Sequence, residues 1–372
     1  MSMTYSRFAT MFVCLFGFAT CPVAAQEPDT APTYTTFDVP GATGTAPTSF
    51  NSAGTVAGIY SDPESNGTFT QGFVRTSDGT ITTFMAPVGI YLQGTFAEAV
   101  NDHGTVAGYY LAETGNGNGQ FFTAYFGYVR TSSGVFTTFS APGAGMYCVP
   151  FCGTAATGIN ESGVVTGWYL DANLVSHGFV GLPGQTITSF DPPGSVSTYA
   201  SSINSSGTVA GYYGDAASVT HAFIRSADGT ITSFDAPGTG TRAFTEAWGI
   251  NNAGSIVGDY VAANGSHHGF VRASSGVVSE FQAVNAAPGY GTHAVSISAD
   301  GSVTGYANRP NELSTVGFVR RPTTGAIATF RAPGAGATSD EGTFPVSINS
   351  SNAVAGYYTD SNGVQHGFIR VP

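Results

Sequence analysis

Short runs in which Val, Ile, Thr, Tyr and Phe alternate with small or polar side chains recur along the chain, and Gly, Pro, Asn, Asp or Ser cuts each of them off. Alternation with a period of two marks a half-buried strand, and these residue types suit a pleated surface. No window carries apolar residues at sustained helical spacing. The pattern is clearest in YASSIN (199–204), TVAGYY (208–213), HAFIRS (221–226) and TITSFD (230–235), four consecutive predicted strands. NSSG joins the first two and SADG the last two. Each reads as a tight turn whose Asn or Asp bonds the local backbone and whose Gly takes a positive φ. The fold class is therefore all-β.

The four-strand pattern repeats along the chain. A segment of the form NxxGxVxG begins at Asn51, Asn101, Asn160, Asn204 and Asn251, with variants at Ser298 and Asn349, so seven copies stand 50, 59, 44, 47, 47 and 51 residues apart. Each leads through a GYY-like end to a GFVR-like strand, a turn, TxF and PG. Four strands in a unit of this length are the signature of a propeller blade, which predicts a seven-bladed β-propeller of four-stranded blades. The chain ends fit the same scheme. YTTFDVPG (34–41) is a fourth strand with no unit of its own, and HGFIRVP (366–372) is a third strand with none after it. Pairing them would complete one blade, close the ring and remove exposed edges. Small residues dominate the first strands (TAATGIN, YASSIN, FPVSIN), as innermost strands around a channel require. A β-solenoid is the alternative, since repetition alone does not show closure.

Charge and the first residues narrow the partners. Eleven basic residues, all arginine, face 23 acids for a formal charge of −12. Such a surface repels nucleic acid and anionic lipid, and neither is an expected partner. Residues 1–25 read as a signal peptide: Arg7 precedes an apolar run, and Val23, Ala24 and Ala25 are the small residues a signal peptidase needs before Gln26. Cleavage removes one arginine and no acid, leaving −13. An export to the periplasm or beyond follows, with no membrane insertion of the mature chain. Residues 26–33 are a short linker and 34–372 a single domain, with no feature that calls for more than a monomer. In an oxidising compartment Cys148 and Cys152 are expected to form a disulfide that staples one loop.

HAF at 221–223, preceded by an INxxGxVxGY segment and followed by DGxITxF, resembles the bacterial extracellular HAF-type repeats across the mature chain from about Tyr34. The resemblance implies an exported, propeller-like repeat protein and carries over no catalytic residue. It also bears on SHHGFVR (266–272), whose two histidines suggest chemistry. His177, His221, His268 and His366 occupy one repeat position that Gln71, Phe126 and Val316 fill elsewhere. One histidine per unit is too far from the next to share a metal, so these read as structural. Arg75, Arg130, Arg225, Arg272, Arg320 and Arg370 form a second such series, interrupted by Gly181, whose guanidinium forks would satisfy loop carbonyls.

Function is then expected in the connections that vary in length. They carry Tyr91, Phe96, Tyr147, Phe151, Phe244, Trp248 and Phe344, at least half of them expected in packing, and LAETGNGNGQFFTAYF (111–126) lengthens a second kind of loop. The candidate ligand-binding residues are Glu98, Arg242, Glu246, Trp248, Asp340 and Glu341. Aromatic faces beside carboxylates suit neutral sugars. Glu98 and Glu246 could serve a glycosidase as a carboxylate pair, but TFAEAVN and FTEAWGIN look like versions of one repeat position, which weakens that reading. There is no GxSxG, HExxH or complete calcium loop. No metal site and no cofactor are expected. The primary reading is an exported module binding a carbohydrate or a protein; the alternatives are a glycan-active hydrolase or lyase, and a structural envelope protein.

Overall fold

The structure, a computed structural model, describes residues 31–62, 70–87, 92–239, 244–285, 287–309 and 312–372. Residues 1–25, where a signal peptide is expected, and Tyr91 and Arg242 fall outside them. Among the described residues there are strands and no helix. β1 spans Thr33–Phe37. Four-stranded antiparallel meanders follow in order: β2 (Gly44–Phe50), β3 (Val56–Ser61), β4 (Thr70–Arg75), β5 (Ile81–Phe84); β6 (Leu92–Val100), β7 (Val106–Gly115), β8 (Phe121–Arg130), β9 (Phe136–Phe139). Next come β10 (Cys152–Ile159), β11 (Val165–Leu170), β12 (Ser176–Gly181), β13 (Ile187–Phe190); β14 (Ser195–Ile203), β15 (Val209–Asp215), β16 (Thr220–Arg225), β17 (Ile231–Phe234). The last are β18 (Thr245–Ile250), β19 (Ile256–Val261), β20 (His267–Arg272), β21 (Val278–Phe281); β22 (Gly291–Ile297), β23 (Val303–Arg309), β24 (Glu312–Arg320), β25 (Ile327–Phe330); and β26 (Gly342–Ile348), β27 (Val354–Thr359), β28 (Gln365–Val371).

β1 pairs antiparallel with β28, Thr33 opposite Val371 and Phe37 opposite Gly367, so the two ends of the chain share one sheet. Consecutive meanders touch through short parallel contacts such as Thr70 with Gly94 and His267 with Gly291. Hydrogen-bonded paths run from β1 to β18 and from β13 to β2, and β14 to β17 stand as a separate sheet. Two sequence boundaries shift. β14 begins at Ser195, ahead of the predicted YASSIN, and carries a register break between Ala200 and Ser202. The 111–126 insertion is mostly strand: β7 and β8 stay paired out to Gly115 and Phe121, so it lengthens a hairpin and not a loop.

Three repeated contacts join neighbouring units, and each explains a sequence letter. The turn asparagines are buried. Asn204 Oδ1 accepts from the amides of Ser206 and Thr208 within its own turn, while Nδ2 donates to the Asn251 carbonyl at 3.2 Å. Asn51, Asn101 and Asn160 reach the carbonyls of Asn101, Asn160 and Asn204 in the same way, Asn251 reaches Ser298, and Asn349 reaches Asn51 at 3.3 Å. Gly207 supplies the positive φ of its turn, and in the last unit Asn352 takes that position at φ 59°.

The second contact is a threonine clamp. Thr245 Oγ1 accepts from Ala236 N at 3.2 Å and Thr292 Oγ1 from Ala283 N at 2.8 Å, fixing each of these first strands to the residues that follow the fourth strand before it. Pro192 stands at that position ahead of β14 and has no N–H. There Thr198 Oγ1 donates to Asp191 Oδ1 at 2.6 Å.

In the third contact, which β12 lacks because it ends at Gly181, an arginine at the end of a third strand lies over a phenylalanine of the preceding fourth strand: Arg225 over Phe190 at 5.0 Å, Arg272 over Phe234 at 4.9 Å, Arg75 over Phe37 at 4.9 Å. Each of the first two donates from Nη1 to the carbonyl of the next residue. These arginines therefore do more than satisfy loop carbonyls, since they also cap the neighbour's ring.

Asn204→Ala deprives two turns of hydrogen bonds at once and is expected to lower unfolding free energy by about 2 kcal/mol in urea titrations, whereas Ser205→Ala, on the exposed side of the turn, changes it by less than about 0.5 kcal/mol. Deleting the chain through Phe37 strips β28 of its outer partner and Arg75 of its ring. The expected cost is about 3 kcal/mol or more, and an unchanged melting curve would contradict the importance of this pairing.

Candidate functional site

Each first strand is interrupted by a bulge at an equivalent place, for example Ala97/Ala99 in β6 and Ala247/Gly249 in β18. The residues at the bulges include Thr48, Glu98, Thr157, Ser201, Trp248 and Val346, and they line a shared cavity of about 270 Å³ to which β2, β6, β10, β14, β18, β22 and β26 all contribute. Glu98 is the only ionisable side chain in this lining among the described residues. Burial pushes its carboxyl up to about 7, and burial first, with the Glu98 charge second, raises the hydroxyls of Tyr109 and Tyr128.

Two residues before each bulge, the first strand faces the second in register. The pairs are Ala46 with Ile59, Phe96 with Tyr109, Ala155 with Trp168, Tyr199 with Tyr212, His293 with Tyr306, and Phe344 with Tyr357. Rings at these positions touch from unit to unit. Phe96 stacks on Tyr109 at 4.8 Å, Tyr109 meets Tyr125, Tyr125 meets Trp168, Trp168 meets Tyr199, and Tyr212 reaches Trp248 at 5.3 Å. Beyond the cluster described next, the belt resumes as His293 on Tyr306 at 4.9 Å, then Phe344 and Tyr357. These side chains are half-buried, so the belt presents ring edges and faces to solvent.

One pair departs from the series, because β18 and β19 set Glu246 opposite Asp259. Asp259 is 3% exposed. Its Oδ1 accepts from Trp248 Nε1 at 2.9 Å, and its Oδ2 lies 3.1 Å from His267 Nδ1 and 3.2 Å from His293 Nδ1. Burial alone would raise the Asp259 carboxyl, but the hydrogen bonds from the two imidazoles and the indole outweigh it and hold the group below the usual range. Glu246 goes the other way: burial first, and the Asp259 charge second, push it up to about 8. The two imidazoles lie 4.5 Å apart by centroid, with Phe244 edge-on to His267. A buried carboxylate that orients two imidazoles, beside a second carboxyl close to neutrality, can bind a cation or shuttle a proton.

Of the residues expected to bind ligand, Glu246 and Trp248 come to this cluster. Glu98 does not. It is the bulge residue of β6, so its counterpart in β18 is Trp248, and Glu246 corresponds to Phe96. The two glutamates are therefore not versions of one repeat position. Glu341 turns back on its own connection, accepting from Thr338 N at 2.7 Å, and Asp340 is exposed beside it at φ 67°. Among the loop aromatics, Tyr147 packs on Phe122 and Phe151 on Tyr125. Cys148 and Cys152 are disulfide-bonded.

The repeat histidines sit in scaffold contacts. His177, His221 and His366 each pack on a tyrosine and hold an aspartate at the end of a fourth strand, Asp191, Asp235 and Asp38, at 2.7–2.9 Å. His268 has Tyr260, Ser266 and Gln282 as partners. Sequence reasoning passed over Asp259 and His293, and set His267 aside with the rest of SHHGFVR as structural. Counting from the turn asparagine would have found the first, because GDY at 258–260 replaces the G-aromatic-Y of most units.

No family model matches the chain, and no curated protein matches it. Solved structures do. Virginiamycin B lyase from Staphylococcus aureus is 14% identical with a TM-score of 0.51, over 92% of this chain and 100% of that one. A streptogramin B lyase structure is 12% identical with a TM-score of 0.52, over 92% of this chain and 98% of that one. Puromycin hydrolase is 11% identical with a TM-score of 0.53, over 87% of this chain and 52% of that one. The chain thus has a β-propeller fold.

The Glu98 carboxyl titrates near 7 in the folded protein against 4.5 when unhindered. A raised carboxyl binds its proton more tightly when folded, so stability falls as pH rises from about 4.5 to about 7 and stays reduced above. Glu98→Gln should therefore gain on the order of 1–3 kcal/mol over wild type at pH 8 and nothing at pH 4. Urea midpoints at the two pH values measure it.

Proposed function

We propose that the mature chain is an exported, seven-bladed β-propeller of the HAF-repeat kind, closed by β1 on β28, which binds a small carbohydrate-like ligand where the aromatic belt meets Glu246, Asp259 and Trp248. The observation that carries this reading is the break in an otherwise aromatic or apolar series: Glu246 and Asp259 hold the paired position that Phe96 and Tyr109, or Tyr199 and Tyr212, hold elsewhere. Repetition accounts for the rings as packing, but it does not account for carboxylates put in their place at the cost of burying charge. Trp248 and its neighbours offer ring faces for apolar sugar faces, and Glu246 offers an acceptor for hydroxyls. Closure is supported by the shared sheet at the chain ends and by the Asn349 to Asn51 hydrogen bond.

A catalytic variant of this reading has its own support. Glu246, pushed up to about 8, exchanges a proton near neutral pH, as a general acid or base must. Both readings go to one assay, a glycan screen of the mature protein with reaction products followed in the same wells. Trp248→Ala is expected to weaken any ligand found at least ~10-fold, with the melting curve recorded beside each titration, and His268→Gln to leave it unchanged. A ligand held equally by wild type and Trp248→Ala would place binding elsewhere on the protein.

A further inference from the structure

Histidines serve this fold in two different ways. At the repeat position each imidazole is matched by carboxylates of its own: His177 has Asp191 and Asp171, His221 has Asp235 and Asp215, and His366 has Asp38 and Asp360. At Asp259 the proportion is reversed, since two imidazoles from different units converge on one carboxylate oxygen. We propose that Asp259, His267 and His293 form a binding site for one divalent transition-metal ion, zinc being the best match.

The donor set and its spacing both fit. Two imidazole nitrogens and one carboxylate oxygen are a usual three-ligand set for zinc, with a fourth position left for water or substrate. Bonds of about 2.0–2.1 Å in a tetrahedron put neighbouring ligand atoms about 3.3 Å apart. Here the two nitrogens stand 3.1 and 3.2 Å from Oδ2, and all three donor atoms lie within 4.8 Å of one another. The carboxylate is also held as a ligand should be. Trp248 Nε1–H occupies Oδ1 and leaves Oδ2 turned to the imidazoles, the kind of outer hydrogen bond that orients a metal-binding group.

The backbone brings the two histidines together before any ion arrives. His267 opens β20, and its N–H donates to the Tyr290 carbonyl at 3.0 Å. Gly291 then lies against His267 at φ 146°, where a Cβ would stand 1.9 Å from the His267 carbonyl oxygen, so only glycine lets β22 start this close. Two residues on, the His293 ring packs tilted against His267 at 4.5 Å. With side-chain exposures of 25% for His267 and 18% for His293, the site is open to an entering ion.

Metal binding goes beyond the ligand reading and is tested apart from it, with no glycan present. The mature protein, carrying no polyhistidine tag and freed of metal with a chelator, is titrated with ZnCl2 by calorimetry and with CoCl2 by visible absorption. The expected result is one ion per chain and a cobalt spectrum of four-coordinate nitrogen and oxygen ligation. His267→Ala and His293→Ala should each lose it while His268→Gln keeps it, and Trp248→Phe should weaken it about 10–100-fold. Zinc should also raise the melting temperature of wild type and not of the two alanine variants. The cobalt spectrum of wild type stands even if a variant fails to fold. Folded wild type that takes up neither ion, or uptake unchanged in both alanine variants, overturns the proposal and leaves Asp259 as the acceptor of a hydrogen-bonded histidine pair.

Discussion

A tight turn buried against its neighbour has a backbone carbonyl with capacity to spare, and in this protein the carboxamide of the preceding unit fills it. The Asn101 carbonyl accepts from Gly104 N within its turn and from Asn51 Nδ2 across the unit boundary. The same asparagine therefore closes one turn and fixes the next unit beside it, and an alanine there would leave polar groups of both turns short of partners. Ser298 is the one turn head without an amide to pass on. Its hydroxyl stays local, on Asp300 and Ser302, and the junction is spanned instead by Asn352 Nδ2 on Asp300 Oδ2 at 2.8 Å. With the units spaced by these contacts, the threonine clamps and, in every unit but that of Gly181, the arginine over a phenylalanine fall into register.

A scaffold repeated this strictly makes departures informative. The paired position before each bulge costs little when it holds rings, which bury area and meet the rings of the next unit. Asp259 in that position has to be desolvated, and only its three hydrogen-bond donors make the charge tolerable. Glu246 has no comparable set and responds by holding its proton. Two carboxyls a strand apart are thus driven to opposite protonation by what touches them, an arrangement that structure alone does not demand.

The order of strands and the identity of the turn residues were legible in the sequence because both rest on local chemistry: period-two alternation, asparagine bonding to its own turn, glycine at positive φ. Strand lengths were less so. LAETGNGNGQFFTAYF reads as a glycine-rich loop, yet tyrosine and phenylalanine on both sides extend the β7–β8 ladder to its tip. The site was half legible. Trp248 and Glu246 were chosen for their residue types, and both stand beside Asp259. The supposed equivalence of Glu98 and Glu246 failed because Glu98 stands three residues before its turn asparagine, Asn101, and Glu246 five before Asn251, an offset that resemblance of the flanking residues conceals. Asp259 breaks the G-aromatic-Y pattern of its unit but was passed by, and His293 went unseen because only cross-unit packing joins it to Asp259.

SHHGFVR shows why the residue type alone misleads. Successive side chains of a strand point to opposite faces. His268 turns to Tyr260, Ser266 and Gln282, the scaffold role that its equivalents play, and the repeat accounts for it. His267, one residue earlier, turns to Asp259, Phe244 and His293, where Gln365, Thr220 and Thr70 stand in other units. Repetition explains one histidine and is silent about the other, and the silent one is where the chemistry converges.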